Sequence, residues 1–363
     1  MFQEKGREKN MPKNHMKKLQ HAKEKREAEW YSIRSLLGHN ALFYFMIGGR
    51  EAGKSYATTE FFVKQWRKYK RPFYWLRLTD ASQQKLLRNK AEKLVDPDIR
   101  RKYQLELSVK GDGVYEVLKD GRHVLMARVL ALSTFYNDKG SGLFDKDFLN
   151  DPNMYYNICL DEMNREQNER KSFDIVYAFT NQLENLVRST KTRVRVICIG
   201  NYLEEASDIL CAFNFLPEQF GRYKLKKKKA VIDYIEPTET YLKRRKGTIA
   251  DILMPNASTF TNTIRTDNSL VCRKRLNKPT QIIKFRGSSD SWFTVWDSCV
   301  IKKYNNERVE TVAMRPYLDE LFQTKLRDSV ILNFDTRSYL YKDLITFKLF
   351  QKELESLKPR NSC

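Results

Sequence analysis

The stretch MIGGREAGKSYAT, residues 46–58, constrains the fold of this chain more than any other part of the sequence. It contains the pattern G-x-x-x-x-G-K-S from Gly48 to Ser55, directly after the apolar run LFYFMI. A helical pattern, SYATTEFFVKQWRKY, follows the loop. A buried strand, a glycine-rich loop and a helix in this order place backbone N–H groups around phosphate oxygens. The sequence therefore predicts a phosphate-binding loop (P-loop).

Two side chains of this loop have predicted roles. Lys54 is expected to contact the β- and γ-phosphates of ATP, and the Ser55 hydroxyl is expected to hold Mg²⁺. The N-terminus of the following helix directs its positive end at the anion. The remaining residues are expected to bind the nucleotide mainly through the backbone. The predicted cofactor-binding residues are Gly48, Gly49, Arg50, Glu51, Ala52, Gly53, Lys54, Ser55 and Tyr56.

A second apolar strand, NICLDE, ends in two acidic residues. Asp161 is expected to lie beside Ser55 and share the Mg²⁺ ion, while Glu162 has the position of a base that polarises the attacking water. The alternative is a surface pair of carboxylates at a strand end. About one hundred residues separate the two motifs. That length leaves room for an additional strand and favours the additional-strand group of P-loop ATPases over simple kinases.

Two further polar residues are candidates for the reaction. Asn201 ends the next apolar strand, VICIGN, where it would sense the γ-phosphate or serve only as a turn residue. Arg188 ends a helical pattern and is placed to reach the nucleotide of a neighbouring subunit, where an arginine stabilises transition-state charge. Arg193 and Arg195 are nearby alternatives.

The rest of the chain indicates a further domain. Gly-Asp-Gly and Asp-Gly-Arg punctuate alternating apolar segments between residues 105 and 132, which predicts β-hairpins. Strand-like pieces and a final helical pattern follow residue 255. The predicted fold is an α/β P-loop ATPase of the catalytic-glutamate group, then a small linker and an α+β domain. The predicted parts are a basic arm at 1–38, the ATPase domain at 39–225, the linker at 226–255 and the C-terminal domain at 256–363.

The formal net charge of +22 and the pI of about 9.6 point to a polyanionic partner such as nucleic acid. No apolar run is long enough to span a membrane, so no membrane role is expected. The six cysteines form no C-x-x-C pair, and Cys159 and Cys198 fall in apolar runs. We therefore expect core cysteines in a reducing cytoplasm, without a structural zinc site.

The loop NREQNERKS after Glu162 is the predicted nucleic-acid contact, through Arg165, Arg170 and Lys171. Its direct connection to the acidic strand end would couple hydrolysis to a grip on phosphates, which is independent of base sequence. The alternative is an ordinary exposed loop. Two other function classes stay open from these residues: a ring helicase or replication ATPase acting on single strands, and a nucleotide-switched nucleic-acid-binding protein.

With these motifs in view, the chain resembles the genome-packaging ATPases of short-tailed, protein-primed bacteriophages. The matching features are I-G-x-R-x-x-G-K-S-Y-A at 47–57, D-E-x-x-R-E at 161–166, V-R before the basic strand, and I-C-x-x-N at 197–201. The resemblance implies a homopentameric ATPase ring at the portal of a procapsid in the host cytoplasm. Such a ring drives double-stranded DNA inward, and a structural packaging RNA often takes part.

The resemblance also suggests roles for individual residues. Arg188 resembles the trans-acting arginine, Lys139 resembles a second trans-acting basic residue, and Arg50 matches an arginine of the family. The C-terminal domain is expected to be ribonuclease-H-like and to bind nucleic acid without nuclease activity. Its acidic residues show no metal-binding spacing; they are Asp267, Asp290, Asp297 and Asp335.

The chain departs from the family pattern at two places. Its basic N-terminal arm is longer, and Asp80 stands after the second strand where a basic residue is expected.

Overall fold

The computed structural model describes residues 30–139, 155–165, 173–188, 193–201, 207–253, 268–285, 291–314 and 324–357. These residues form two compact units. The first unit contains the described residues up to 201 together with 217–253, and the second contains 207–216 together with 268–357. The predicted N-terminal arm before residue 30 lies outside the described residues, as do Arg170 and Lys171.

A nine-stranded sheet forms the centre of the first unit, in the order β3-β4-β5-β2-β6-β7-β1-β9-β8. Its strands are β1 (Phe43–Ile47), β2 (Phe73–Arg77), β3 (Leu107–Lys110), β4 (Gly113–Val117), β5 (His123–Ala131), β6 (Tyr156–Asp161), β7 (Val194–Gly200), β8 (Gly221–Leu225) and β9 (Ala230–Tyr234). Strands β5, β2, β6, β7, β1 and β9 are parallel neighbours. β7 separates β1 from β6, which confirms the predicted additional-strand arrangement.

The helices of the first unit precede, connect or follow these strands. They are α1 (Arg34–Leu37), α2 (Lys54–Tyr69), α3 (Asp80–Ala91), α4 (Pro97–Tyr103), α5 (Ile175–Val187), α7 (Glu239–Arg245) and α8 (Ile249–Leu253); α6 (Asp208–Ala212) belongs to the second unit. Helix α2 follows the P-loop as predicted, and it buries Phe62 and Trp66 on its sheet-facing side. Cys159 and Cys198 are buried strand residues, as their apolar surroundings indicated.

The predicted hairpins are confirmed in the segment between α4 and β6. β3 pairs antiparallel with β4, and β4 with β5. Gly111 and Gly121 occupy the turns with φ of 60° and 80°, a conformation that other L-residues adopt only with strain. On β4, the buried Glu116 accepts hydrogen bonds from Trp66 (2.9 Å) and Lys70 (3.0 Å) at the end of α2. The hairpins are therefore fixed to the helix that begins at the P-loop.

Three of the predicted domain boundaries differ from the structure. Residues 30–38 of the predicted arm belong to the first unit, and Ile33 and Leu36 are buried in its core. β9 lies within the predicted linker, yet it pairs in parallel with β1 and is buried throughout. Its five residues, AVIDY, are mostly apolar, but the neighbouring lysine cluster concealed the strand signal. In addition, residues 207–216 fall inside the predicted ATPase domain but group with the second unit. There, Asp208 lies 3.8 Å from Lys348.

The second unit is an α+β structure, as predicted. Its strands are β10 (Pro279–Phe285), β11 (Trp292–Trp296), β12 (Val300–Lys303), β13 (Thr311–Met314) and β14 (Leu340–Tyr341), and its other helices are α9 (Thr324–Asp335) and α10 (Leu344–Leu357). The five strands are ordered β13-β10-β11-β12-β14. Phe350 of α10 is fully buried and makes edge-to-face contacts with Phe285 and Phe293. Across the described ranges, every helix is too short or too polar to cross a membrane.

Candidate nucleotide-binding site

The P-loop joins β1 to α2, Asp161 ends β6, and Asn201 follows β7. Because these strands are parallel, their carboxyl ends meet at one edge of the sheet, where ligands of open α/β sheets bind. A cleft of about 490 Å³ opens at this edge. The residues that line it are Arg50, Glu51, Ala52, Gly53, Lys54, Ser55, Tyr56, Asp161, Glu162, Ile199, Gly200 and Asn201. The predicted residues of both motifs are therefore neighbours in the fold.

The side chain of Lys54 folds back into the P-loop. Its side chain is buried, and its ammonium group donates to the backbone carbonyls of Gly48 (2.8 Å) and Gly49 (2.6 Å). Burial lowers the pKa of Lys54 to about 8, although the Asp161 carboxylate acts in the opposite direction. A buried, incompletely solvated ammonium group gains from a phosphate that enters the cleft, since the phosphate supplies the compensating charge.

Donors from outside the loop hold its other carbonyls. The hydroxyl of Tyr241 donates to the carbonyl of Arg50 (3.0 Å), and the guanidinium of Arg244 donates to that of Glu51 (2.7 Å). The backbone N–H of Tyr31 donates to the carbonyl of Ala52 (2.9 Å). With the two bonds from Lys54, five consecutive carbonyls accept hydrogen bonds. The loop is thus held in one conformation, and preorganisation of this kind favours anion binding.

Ser55 and Asp161 meet as predicted. The Ser55 hydroxyl donates to Oδ1 of Asp161 at 3.2 Å. Asp161 is 7% exposed, and burial raises its pKa against the opposing charge of Arg77. A hydroxyl and a carboxylate are the hard oxygen ligands that Mg²⁺ prefers, so these two residues fit the ion.

Arg77, which the sequence analysis did not select, is the principal addition to the site. Its Nη1 donates to Oδ2 of Asp161 at 2.8 Å, and its Nη2 donates to the carboxylate of Glu162. The sequence does carry a signal for it, because Arg77 directly follows the apolar run FYWL. An arginine at the end of a buried strand requires an acidic or polar partner. Asp80, where a basic residue was expected, instead lies in the first turn of α3 after the capping residue Thr79. A carboxylate is favourable at that position.

Glu162 directly follows β6 in a left-handed conformation, with φ of 57°. Its side chain is 57% exposed and borders the cleft. Asn201 borders the same cleft, at the end of β7. A Cβ on Gly200 would lie 2.8 Å from Cε of Met163, so the side chain after Glu162 packs closely on the end of β7. The acid after β6 and the amide after β7 therefore face one space, as the prediction requires.

Arg188 directly follows helix α5. Near the end of this helix, Asn185 donates to the carbonyl of Phe135 (3.1 Å) and Gln182 donates to Asp138 (2.9 Å), both in the segment that follows β5. Of the two alternatives, Arg195 is used within the subunit, because it binds Asn157 at 2.9 Å and stacks on Tyr155. Arg188 is exposed, and it is not among the residues that line the cleft of its own chain.

The remaining predicted residues lie outside the lining of the cleft. Lys139 is exposed after a 3-10 helix, Leu132–Asp138. Arg165 donates to the backbone carbonyl of Phe173, and its guanidinium stacks on the Phe173 ring at 4.9 Å. This contact joins the two described residues that flank the segment 166–172.

Two known DNA packaging proteins are similar to this chain in sequence. The DNA packaging proteins of Bacillus phage PZA and Bacillus phage phi29 are each 26% identical over 200 residues. The alignment covers 54% of this chain and 53% of each relative, so it spans about half the length of these relatives.

Two solved structures share the fold. A chain of the bacteriophage Phi-29 viral genome packaging motor assembly matches with a TM-score of 0.61 at 20% identity, over 91% of this chain and all of that one. The Phi-28 gp11 DNA packaging motor matches with a TM-score of 0.62 at 15% identity, over 92% of this chain and all of that one. The family model of the Podovirus DNA encapsidation protein (Gp16) matches residues 26–328, and the chain therefore belongs to this family.

Proposed function

We propose that this protein is an ATP hydrolase that drives double-stranded viral DNA into a procapsid. The observation that carries the proposal is the meeting of Lys54, Ser55, Asp161 and Glu162 at one edge of an additional-strand sheet. Membership of the encapsidation family supports the packaging role. The excess of basic residues, with a net charge of +22, fits a DNA partner.

In this proposal Lys54 and the P-loop backbone hold the phosphates of ATP, and Ser55 and Asp161 hold Mg²⁺. The ion would neutralise charge on the phosphate oxygens. Glu162 orients the attacking water and accepts its proton, which requires that its carboxylate leave Arg77. Asn201 borders the same space and would bind the γ-phosphate.

Arg188 completes the site of a neighbouring subunit. Its exposure, and its absence from the lining of its own cleft, support a role in trans. We propose a homo-oligomeric ring, a pentamer by resemblance, at the portal of the procapsid, with a structural RNA as a further partner. Lys139 is the second candidate for a trans contact.

DNA grip is assigned to the segment after Glu162, with Arg165, Arg170 and Lys171. Arg165 is engaged with Phe173 here, so DNA binding at this arginine would exchange a carbonyl for a phosphate. The grip would be to phosphates, and it should therefore weaken with salt.

The C-terminal unit is proposed to be a ribonuclease-H-like binding domain without nuclease activity. The carboxylate of Asp297 accepts the backbone N–H groups of Asn277 and Lys278, a structural use. No metal-binding group of side chains occurs among the described ranges, while Asp267 and Asp290 lie outside them.

Steady-state ATP hydrolysis tests the proposal. The full-length protein is assayed without nucleic acid, with single-stranded DNA and with duplex DNA, at two salt concentrations. We expect stimulation by duplex that weakens with salt, and no activity in Lys54→Ala. Preference for single strands would indicate a helicase, and ATP binding without turnover under any condition would indicate a nucleotide switch.

A further inference from the structure

Trp30 and Arg244 form a stacked pair on the outer side of the P-loop. A Cβ built on Gly53 would lie 3.3 Å from Cε3 of Trp30, so the indole ring packs directly against the loop where α2 begins. The guanidinium of Arg244 lies 3.9 Å from the centroid of the Trp30 ring. The ring nevertheless remains 52% exposed. A large aromatic side chain is thus held beside the phosphate loop with part of its surface open.

Both residues are fixed to the loop by backbone contacts. The residue after Trp30, Tyr31, donates its N–H to Ala52, and Arg244 donates to the carbonyl of Glu51. The next residue of α7, Arg245, forms an ion pair with the Glu51 carboxylate at 3.0 Å. The position of the pair relative to the P-loop is therefore set by three contacts rather than by one flexible side chain.

The strand order around β1 indicates which part of a bound nucleotide would contact Trp30 and Arg244. Asp161 and Glu162 lie on the β6 and β7 side of β1, and the terminal phosphate must approach them for hydrolysis. The pair lies on the opposite side of β1, where the chain leaves β9 for α7. A nucleotide that directs its γ-phosphate to the carboxylates extends its nucleoside away from them. Its base then arrives at the side of the loop that carries Trp30.

We propose that Trp30, backed by Arg244, is the base-binding platform of the nucleotide site. This inference rests on the proposed function, because it requires a nucleotide in the P-loop. The ligand class is a nucleoside triphosphate whose aromatic base stacks on the indole. An adjacent guanidinium strengthens such a contact by cation–π attraction and by fixing the ring. Bases of every type have a π-face, so the platform binds a nucleotide more tightly than a phosphate chain that carries no base. Among nucleotides it favours those with the larger purines.

Calorimetric titration of the full-length protein with ATP and with inorganic tripolyphosphate, both with Mg²⁺, tests the platform. Trp30→Leu keeps an apolar side chain against Gly53 but removes the aromatic face, and Trp30→Phe retains a ring. We expect Trp30→Leu to weaken ATP binding about tenfold and to leave tripolyphosphate binding within about twofold, with Trp30→Phe in between for ATP. Tyr177→Leu, which removes another exposed aromatic side chain of the same unit, serves as the control.

The remaining outcomes separate this inference from the proposed function. Unchanged ATP affinity in Trp30→Leu, or equal weakening of both ligands, would overturn the platform and leave the phosphate site intact. If the unmodified protein binds neither ligand, or if Lys54→Ala binds both normally, the nucleotide site itself is wrong.

Discussion

Arg77, the last residue of β2, donates a hydrogen bond to Glu162, the residue that directly follows β6. The same guanidinium holds the buried Asp161 at 2.8 Å. One cation therefore neutralises both carboxylates of the nucleotide site. Glu162 must therefore exchange this contact for water before it can act as a general base.

Replacing Arg77 should destabilise the first unit, because Asp161 would stay buried without its charged partner. For Arg77→Met we expect a loss of about 3 kcal/mol in the free energy of unfolding at neutral pH, measured with urea in the absence of nucleotide. Adding Asp161→Asn to this variant should restore most of the loss, since no buried charge then remains. If Arg77→Met is as stable as the unmodified protein, water rather than Arg77 compensates the charge of the Asp161 carboxylate.

Glu162→Gln should separate ATP binding from turnover. The amide keeps the size of the side chain but cannot accept a proton, and loss of a general base lowers rates by about 10²- to 10⁴-fold. We expect hydrolysis to fall by at least about 100-fold while ATP affinity stays within about threefold. Glu184→Gln, an exposed carboxylate on α5, is the control. Retained turnover in Glu162→Gln would place the base at another residue.

Tyr241→Phe should weaken phosphate binding without touching the cleft. The change removes the donor to the carbonyl of Arg50, worth about 1 kcal/mol for a neutral hydrogen bond, or about fivefold in affinity. ADP titration measures the effect. Tyr223→Phe, on β8, removes a comparable bond from a hydroxyl to a backbone carbonyl, that of Gln219 at 2.6 Å, and should bind ADP normally. If the two variants bind ADP equally well, the hydrogen bond from Tyr241 does not contribute to the affinity of the P-loop for phosphate.

The parts of the site that depend on one continuous segment were predictable from the sequence. The P-loop and the strand ending at Asp161 each carry their own pattern, and the parallel sheet brings them together. Arg77, Tyr241 and Trp30 were not predicted, because each acts through residues that are distant along the chain. β9 was missed for a different reason: five residues between basic clusters carry too weak a pattern, and only pairing with β1 identifies the strand.

Glu116→Gln should make stability less sensitive to acid. Burial alone would raise the pKa of Glu116, but hydrogen bonds from Lys70 and Trp66 outweigh it and lower the pKa below the usual 4.5. A lowered folded-state pKa contributes stability above the unfolded value, and this contribution is lost as pH falls through the folded value. We expect the variant to lose about 2 kcal/mol at neutral pH.

Urea unfolding at about pH 7 and about pH 3.5 measures this difference, which should shrink at the lower pH. Glu106→Gln, at an exposed position beside the same hairpins, should differ little from the unmodified protein at either pH. If the difference in unfolding free energy is the same at both pH values, the packing of the Glu116 side chain, and not its charge, stabilises the protein.

Arg188→Ala should act on the neighbouring subunit's reaction. The residue is exposed and does not line its own cleft, so we expect its loss to leave ATP binding to that chain unchanged. Mixing Arg188→Ala with Glu162→Gln subunits should restore part of the DNA-stimulated hydrolysis that each variant lacks alone, because an intact Glu162 of one subunit then meets an intact Arg188 of its neighbour. Arg101→Ala, an exposed arginine of α4, is the control and should hydrolyse ATP normally without a partner variant. No recovery in the mixture would place the effect within single subunits and remove the argument for a shared site.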